Sequence, residues 1–486
     1  MNVSASPAPA ATQDDLARAR SLFELPGPTP WPLVGNALQV TLDRMHQDLE
    51  RWALAYGPMV VLHFGRDPVL VLSDHALIGR LLRDRPERFR RPTRMYDVIQ
   101  GMGIAEGVFT AEGDKWARQR RMVMASFAPG QVKAYFPRLL QVAERLRQRW
   151  VPAAQSGRPL DMQDELMRFT VDVISGLAFG IDVDTVSKGG DVIQQHLNVV
   201  MPTIWRRTQS LVPYWKFVKL PVDRAMERGV AAVNQAVAGF IADARQRLKD
   251  PARRLAPQNL LEAMLVAADE PGSGMSDADV VGNVFIMLLA GEDTTATSIS
   301  WMLYLLSRQP QALARLQEEV DRALPHDLAD WTPADMDKLD YLEACIHESM
   351  RLRPVGPLNV VEPIEDTVIE GYRVPKLTSV LLLMRTDGMR AEHFPQPDAF
   401  RPERWLPDAG RDLAPESPKR MLMPFGAGPR ICPGRYLAIL EIKLAVAMLL
   451  RQFKLVSVDT PDGREVQEHM AMAMTPVGLK MRLAPR

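Results

Sequence analysis

The sequence predicts a mainly α-helical fold with a smaller β portion, closer to α+β than to an alternating α/β arrangement. Three observations carry that expectation. From about residue 74 to about residue 355 the pattern is mainly helical. Strand-like runs are confined to "PMVVLHFGRDPVLVLSD" (Pro58–Asp74) and the later "DTVIEGYRVPKLTSVLLLM" (Asp366–Met384). The 486 residues have ordinary globular composition, 47% apolar and 24% charged, with no internal repeat and no long linker.

Taken in order, residues 1–20 are rich in Ala, Pro and Ser and are expected to be a flexible tail, with residues 21–486 forming one domain. "LPGPTPWPLVGN" (Leu25–Asn36) is too proline-dense for a helix or a central strand and reads as a stiff surface segment. In Pro58–Asp74 two β-rich runs flank Gly-Arg-Asp-Pro, which predicts a hairpin. Ser276 with Asp279 forms an N-cap pair, and the helix it starts continues to Arg308, ahead of Pro310. That is roughly 30 residues, or about 45 Å. Its middle reads "LLAGEDTTATS". A last helix, "RYLAILEIKLAVAMLLRQF" (Arg435–Phe453), follows the stretch "PFGAGPRICPG" (Pro424–Gly434).

Charge and cysteine content exclude several classes. Lys plus Arg equals Asp plus Glu, 59 each, so the whole-chain field is weak and nucleic acid is not an expected partner. Two cysteines, Cys345 and Cys432, match no paired zinc or redox spacing, and a disulfide framework is not expected. The N-terminus has no apolar core of a secretory signal, and no run approaches 18 unbroken apolar residues. A soluble, cytoplasmic monomer without a transmembrane anchor is therefore expected.

The chemistry concentrates at Cys432. A thiolate is a strongly donating ligand and needs local positive potential to stay ionised. The following helix supplies a dipole and free backbone N–H groups at its start. Gly426, Gly428 and Gly434 allow tight or close-approach backbone, Phe425 can shield the sulfur, and Arg430 can pair with a carboxylate of a ligand. The order Phe425-Gly426-x-Gly428-x-Arg430-x-Cys432-x-Gly434 resembles the haem-binding signature of the cytochrome P-450 family.

That resemblance extends along the chain from Leu25 onward. "ESMR" supplies Glu348 and Arg351 three apart on a helix, and "FRPERW" supplies Arg404; their order is similar to the family's buried Glu-Arg-Arg network, a structural feature. "WARQR" places Trp116 and Arg120 on one helix face, similar to the family's contacts to a haem propionate. "AGEDTT" (Ala290–Thr295) resembles its oxygen-activation motif. There Gly291 is expected to leave room for oxygen and water beside Ala290, Thr294 to hydrogen-bond back to the Ala290 carbonyl and loosen a turn, and Asp293 to handle protons with it. Glu292 points elsewhere, about 100° around the helix. One departure stands out: before Phe394 the chain reads "RTDGMRAEHF" rather than the family's usual His-Arg-Asp pattern, so no haem contact is transferred there.

The resemblance implies the cytochrome P-450 fold, a long central helix over haem b, and Cys432 as thiolate ligand. It implies a monooxygenase that puts one atom of O₂ into a lipophilic small molecule, with fatty acids or terpenoids as candidate substrates. Electrons are expected from a separate ferredoxin or flavodoxin with its reductase, with Arg118, Arg121, Arg435 and Lys443 as candidate docking charges. The segment Trp205–Pro221 mixes aromatic and basic residues and reads as an access lid, a membrane-surface patch or a plain surface loop. The style of the sequence suggests a soluble bacterial enzyme. A peroxygenase, isomerase or dehydratase on the same scaffold, or a haem sensor, would leave the Asp293–Thr294 pair without a use.

Overall fold

Apolar runs on either side of Gly65 pair as the antiparallel hairpin the sequence predicts, Met59–Phe64 with Asp67–Leu72, and the turn glycine takes φ 66°. The computed structural model describes residues 11–65, 67–188, 192–210, 212–407 and 421–486. It falls into two units, Met1–Asp97 with Arg351–Ala399 and Gly410–Cys432, and Val98–Met350 with Phe400–Ala409 and Pro433–Arg486.

The first unit holds most of the β structure. The hairpin's second strand pairs in parallel with Ser379–Leu383, which continues antiparallel to Leu358–Pro363 and then Phe89–Arg90. A smaller sheet joins Arg20–Ser21, Tyr372–Val374 and Thr367–Ile369. The helix His75–Arg83 starts where the Asp74 carboxylate accepts the Leu77 N–H at 2.7 Å. It lays Leu77, Ile78, Leu81 and Leu82 into one core with Val61, Leu70, Leu72, Val380 and Leu382. Met423 and Ala427, from the stretch leading to Cys432, pack on that same core.

The expected flexible tail is partly structured. Residues 1–10 lie outside the described residues, but Gln13–Arg18 is a short helix closed by a Thr12–Asp15 capping box, and Arg20 and Ser21 pair with Tyr372 and Arg373. That helix buries no side chain fully, and its capping box closes its first turn.

The second unit is helical with two small sheets. The long helix spans Asp277–Ser307, 31 residues, and Ser276 and Asp279 form the predicted reciprocal cap. Helix Met162–Phe179 packs along it, with the Thr170 hydroxyl donating to the Glu292 carbonyl at 2.6 Å. Helix Arg435–Gln452 carries the expected C-terminal segment and leads directly into Phe453–Asp459, which pairs with Lys480–Pro485. The result is mainly α with a smaller β portion, as the sequence predicts.

Candidate active site

In the first unit the approach to Cys432 is a loop tied to itself. The Cys432 N–H donates to the Phe425 carbonyl at 2.9 Å, and Gly426 N–H donates to Met423 at 2.8 Å. Between them Gly428–Arg430 makes a 3₁₀ turn. Gly426 and Gly428 take φ 75° and 69°, a region that side chains disfavour. A Cβ on Gly428 would also stand 2.7 Å from the Arg83 Cα, so the loop lies directly on helix His75–Arg83. Gly434 differs from the expectation: its φ is −81°, and it serves as the N-cap of helix Arg435–Gln452, without a side-chain cap bond. Its backbone conformation is open to other residues. Cys432 is half-buried and in no disulfide. Cys345 is fully buried, and burial pushes its thiol well up, which suits the inert core role expected of it.

In the second unit the middle of the long helix presents two exposed residues, Ala290 and Thr294, one turn apart, while Leu289, Thr295 and Ala296 are buried. The Thr294 hydroxyl donates back to the Ala290 carbonyl at 2.8 Å, as predicted. The helix nevertheless remains continuous from Asp277 to Ser307, so this back-bond does not open a turn. The reading of Gly291 also needs correction. Its missing side chain makes room for Ile174 of the neighbouring helix, whose Cγ1 would stand 2.8 Å from an added Cβ. One residue of helical rotation carries Gly291 off the Ala290–Thr294 face and into a helix–helix contact.

Asp293 points into that same neighbouring helix. Its Oδ1 accepts from Gln163 Nε2 at 3.0 Å and from the Thr297 hydroxyl at 3.1 Å. Burial pushes its carboxyl above the ordinary range, and the two donors offset only part of that. Oδ2 has no hydrogen-bond partner among the described residues. Gln163 is held in turn by the Ser300 hydroxyl, which donates to its Oε1 at 3.2 Å. Sequence reasoning missed Gln163. It also missed Glu441, a buried carboxyl on helix Arg435–Gln452 that is hydrogen-bonded to Thr295 and pushed by burial up to about 8.

A family model described as cytochrome P450 matches residues 25–483 and so spans both units. The chain belongs to the cytochrome P450 family. It is 29% identical over 473 residues to a bifunctional cytochrome P450/NADPH–P450 reductase of Gibberella moniliformis, covering 96% of this chain and 41% of that protein. It is 27% identical over 439 residues to cytochrome P450 3A6 of Oryctolagus cuniculus, covering 88% and 85%. To the chloroplastic protein LUTEIN DEFICIENT 5 of Arabidopsis thaliana it is 26% identical over 413 residues, covering 82% and 67%. The chain thus spans about two fifths of its fungal fusion relative and most of its mammalian one. These relatives are eukaryotic and lend no support to the bacterial origin expected above.

Cytochrome P450 enzymes are oxidoreductases that bind haem b through a cysteine thiolate, and the residues of this one fit that group. The single cysteine outside the core sits in a rigid, glycine-shaped loop that a Cβ at residue 428 would break. On the long helix the exposed Ala290–Thr294 face carries no charged side chain. Trp116 and Arg120 lie on helix Gly113–Ser126 one turn apart, the tryptophan buried and the arginine half-buried.

Of the three residues of the predicted charge network, Glu348 and Arg404 belong to the second unit and Arg351 to the first. In the second, fully buried Glu348 accepts from Arg404 Nε at 3.2 Å, Trp405 Nε1 at 2.9 Å and the Arg401 N–H at 2.9 Å. In the first, fully buried Arg351 donates to the carbonyls of Gly388, Pro397 and Ala399 at 2.7, 2.7 and 3.1 Å. Lys443 departs from the expected docking role. It is buried and bonded to Glu343 at 2.7 Å and to the Met336 carbonyl at 3.0 Å, so it holds helices together. Arg121 and Arg435 are exposed and Arg118 is half-buried.

Within Trp205–Pro221, Leu211 lies outside the described residues. Arg206 and Arg207 both reach buried Asp223 Oδ1 at 3.0 Å, which anchors one side of the segment. Val212, Phe217 and Val218 are exposed beyond it. No described helix is long and apolar enough to cross a membrane.

Proposed function

We propose that this cytochrome P450 hydroxylates a lipophilic small molecule, fatty acids and terpenoids being candidates, with Cys432 as the haem ligand and Asp293 and Thr294 managing protons. The observation that carries the reading is the pairing of a back-bonded threonine with a half-buried acid at the centre of the long helix. Haem bound by thiolate supplies the electron density that favours O–O cleavage.

The chain's own residues do the rest. The Thr294 hydrogen is committed to the Ala290 carbonyl, so its oxygen lone pairs are directed away from that bond and accept a proton-bearing partner. Asp293, with one oxygen clamped by Gln163 and Thr297, holds or releases a proton at Oδ2. Its raised pKa keeps that proton available nearer neutral pH than an ordinary aspartate would. Arg430, Trp116 and Arg120 would hold the carboxylate edge of the cofactor, and Phe425 would exclude water from the sulfur. Ala290, Gly426 and Gly428 would leave room for the cofactor by carrying little or no side chain, and Gly434 caps the helix Arg435–Gln452.

Electrons come from another module. These 486 residues contain two cysteines, one buried and one assigned to the cofactor, too few for an iron–sulfur cluster. A separate ferredoxin or flavodoxin with its reductase fills that role, docking on a surface that includes Arg121 and Arg435. The enzyme acts as a cytoplasmic monomer, with Val212–Leu220 as an access lid hinged on the Asp223 clamp.

Three measurements test this. Reduced haem-loaded protein with carbon monoxide should show the thiolate-type absorption band, and Cys432→Ala should abolish it; an unchanged band overturns the ligand assignment. Thr294→Ala should keep electron consumption but divert it to peroxide, and unchanged coupling removes the threonine from the mechanism. Turnover with peroxide alone, and none with ferredoxin and reductase, would replace monooxygenation by peroxygenation.

A further inference from the structure

We propose that His75, Asp387 and His393, in the first unit, form a binding site for one divalent transition-metal ion of the zinc type. One ligand atom from each lies within 4.8 Å of the others. Asp387 Oδ2 is 2.8 Å from His75 Nδ1, and the two imidazole rings meet edge to face with centroids 5.4 Å apart. Ligands bound to zinc at about 2.0–2.2 Å stand roughly 3–3.5 Å from one another. The ion would draw the three side chains from their present spacing, within 4.8 Å, to that distance.

The backbone around the three residues is pinned. His75 is the first residue of helix His75–Arg83, and its N–H donates to Asp387 Oδ2 at 2.7 Å. Asp387 lies in the 3₁₀ turn Thr386–Met389, and the N–H groups of His393 and Phe394 both return to the Arg390 carbonyl, at 3.2 and 2.9 Å. Phe394, next to His393, is buried.

Donor chemistry selects the ion. Two imidazoles with one carboxylate suit zinc, cobalt, nickel or copper, whereas magnesium and calcium prefer all-oxygen sets. Three protein ligands leave one or more positions for water. Arg390 Nε stands 3.0 Å from Asp387 Oδ1, which orients the carboxylate and leaves Oδ2 on the histidine side. Such an outer partner is a regular feature of ligating carboxylates. Two of the three ligands come from "RTDGMRAEHF", the stretch where the chain departs from the family pattern, so the site gives that departure a use. A bound ion would clamp this turn to the start of helix His75–Arg83, the helix on which the cysteine loop rests.

The test uses full-length, haem-loaded protein stripped with a chelator and titrated with Zn²⁺ in a calorimeter. One equivalent should bind, and Mg²⁺ should not compete. His393→Ala should weaken binding by about tenfold or more, while His326→Ala, an exposed histidine elsewhere, should leave it unchanged. Zn²⁺ should raise the unfolding temperature of the parent protein and of His326→Ala but not of His393→Ala. His393→Gln provides a second variant, and an intact reduced-CO band in both shows that they fold. Absence of one-equivalent binding, or equal affinity in the His393 variants, overturns the site and leaves a hydrogen-bonded pair of Asp387 and His75 with Arg390 as an ion-pair neighbour.

Discussion

Replacing Glu441 by glutamine should make the protein progressively more stable than its parent as pH rises. Glu441 is buried on helix Arg435–Gln452 with the Thr295 hydroxyl as its hydrogen-bonding partner, and its pKa is pushed from 4.5 to about 8. The folded state therefore holds a proton that the unfolded chain releases above about pH 4.5. Stability contributed by the neutral form is complete below that pH, declines as pH rises, and levels off once the folded pKa is passed. A rise of about 3.5 in pKa, at about 1.36 kcal/mol for each unit, amounts to about 5 kcal/mol across the window. Glutamine keeps the size and the bond to Thr295 but has no proton to lose. Guanidinium unfolding of haem-loaded parent and Glu441→Gln proteins, compared pairwise from pH 5 to pH 9, cancels the cofactor's contribution and isolates this group. The variant's advantage should be small at pH 5 and approach several kcal/mol at pH 9. A difference independent of pH would mean that Glu441 is ionised in the fold, and the burial argument would fail.

Three further outcomes follow from the geometry. Glu348→Ala removes the buried carboxylate that accepts from Arg404 Nε, Trp405 Nε1 and the Arg401 N–H, and should cost about 3–5 kcal/mol in denaturant unfolding, with Glu348→Gln costing less. Gly426→Ala and Gly428→Ala both force a side chain into positive φ, but only residue 428 also strikes the backbone of Leu82 and Arg83. Gly426→Ala should lose about 1 kcal/mol and Gly428→Ala clearly more, read as haem retained on mild heating. Gln163→Leu removes the amide that favours ionised Asp293, so the acid limb of the pH–rate profile should move to higher pH, with kcat lowered by about tenfold and KM little changed. An unmoved profile would take Gln163 out of the positioning role.

What could be read in advance was local. The loop before Cys432 is legible because its hydrogen bonds span few residues, as from Cys432 N–H to the Phe425 carbonyl, and its glycines announce the turns they permit. The same holds for the Ser276–Asp279 cap, the hairpin around Gly65, and the Thr294 bond to Ala290 one helical turn away. Each is closed by neighbours in the chain, so residue type and spacing are nearly the whole of the physics.

Other features depend on what lies opposite. Gly291 reads as open space until Ile174 fills it, and Lys443 reads as a surface charge until Glu343 and the Met336 carbonyl enclose it. Gln163 meets Asp293 across 130 positions, and Asp387 meets His75 across 312. By itself, the sequence determined the family, the loop around Cys432 and the order of the helices and strands, because contiguous residues encode those. Only the tertiary structure decided which carboxyls are desolvated, which glycines pack rather than open space, and which histidines converge. Burial and proximity are set by the packing of distant segments, and no local pattern records them.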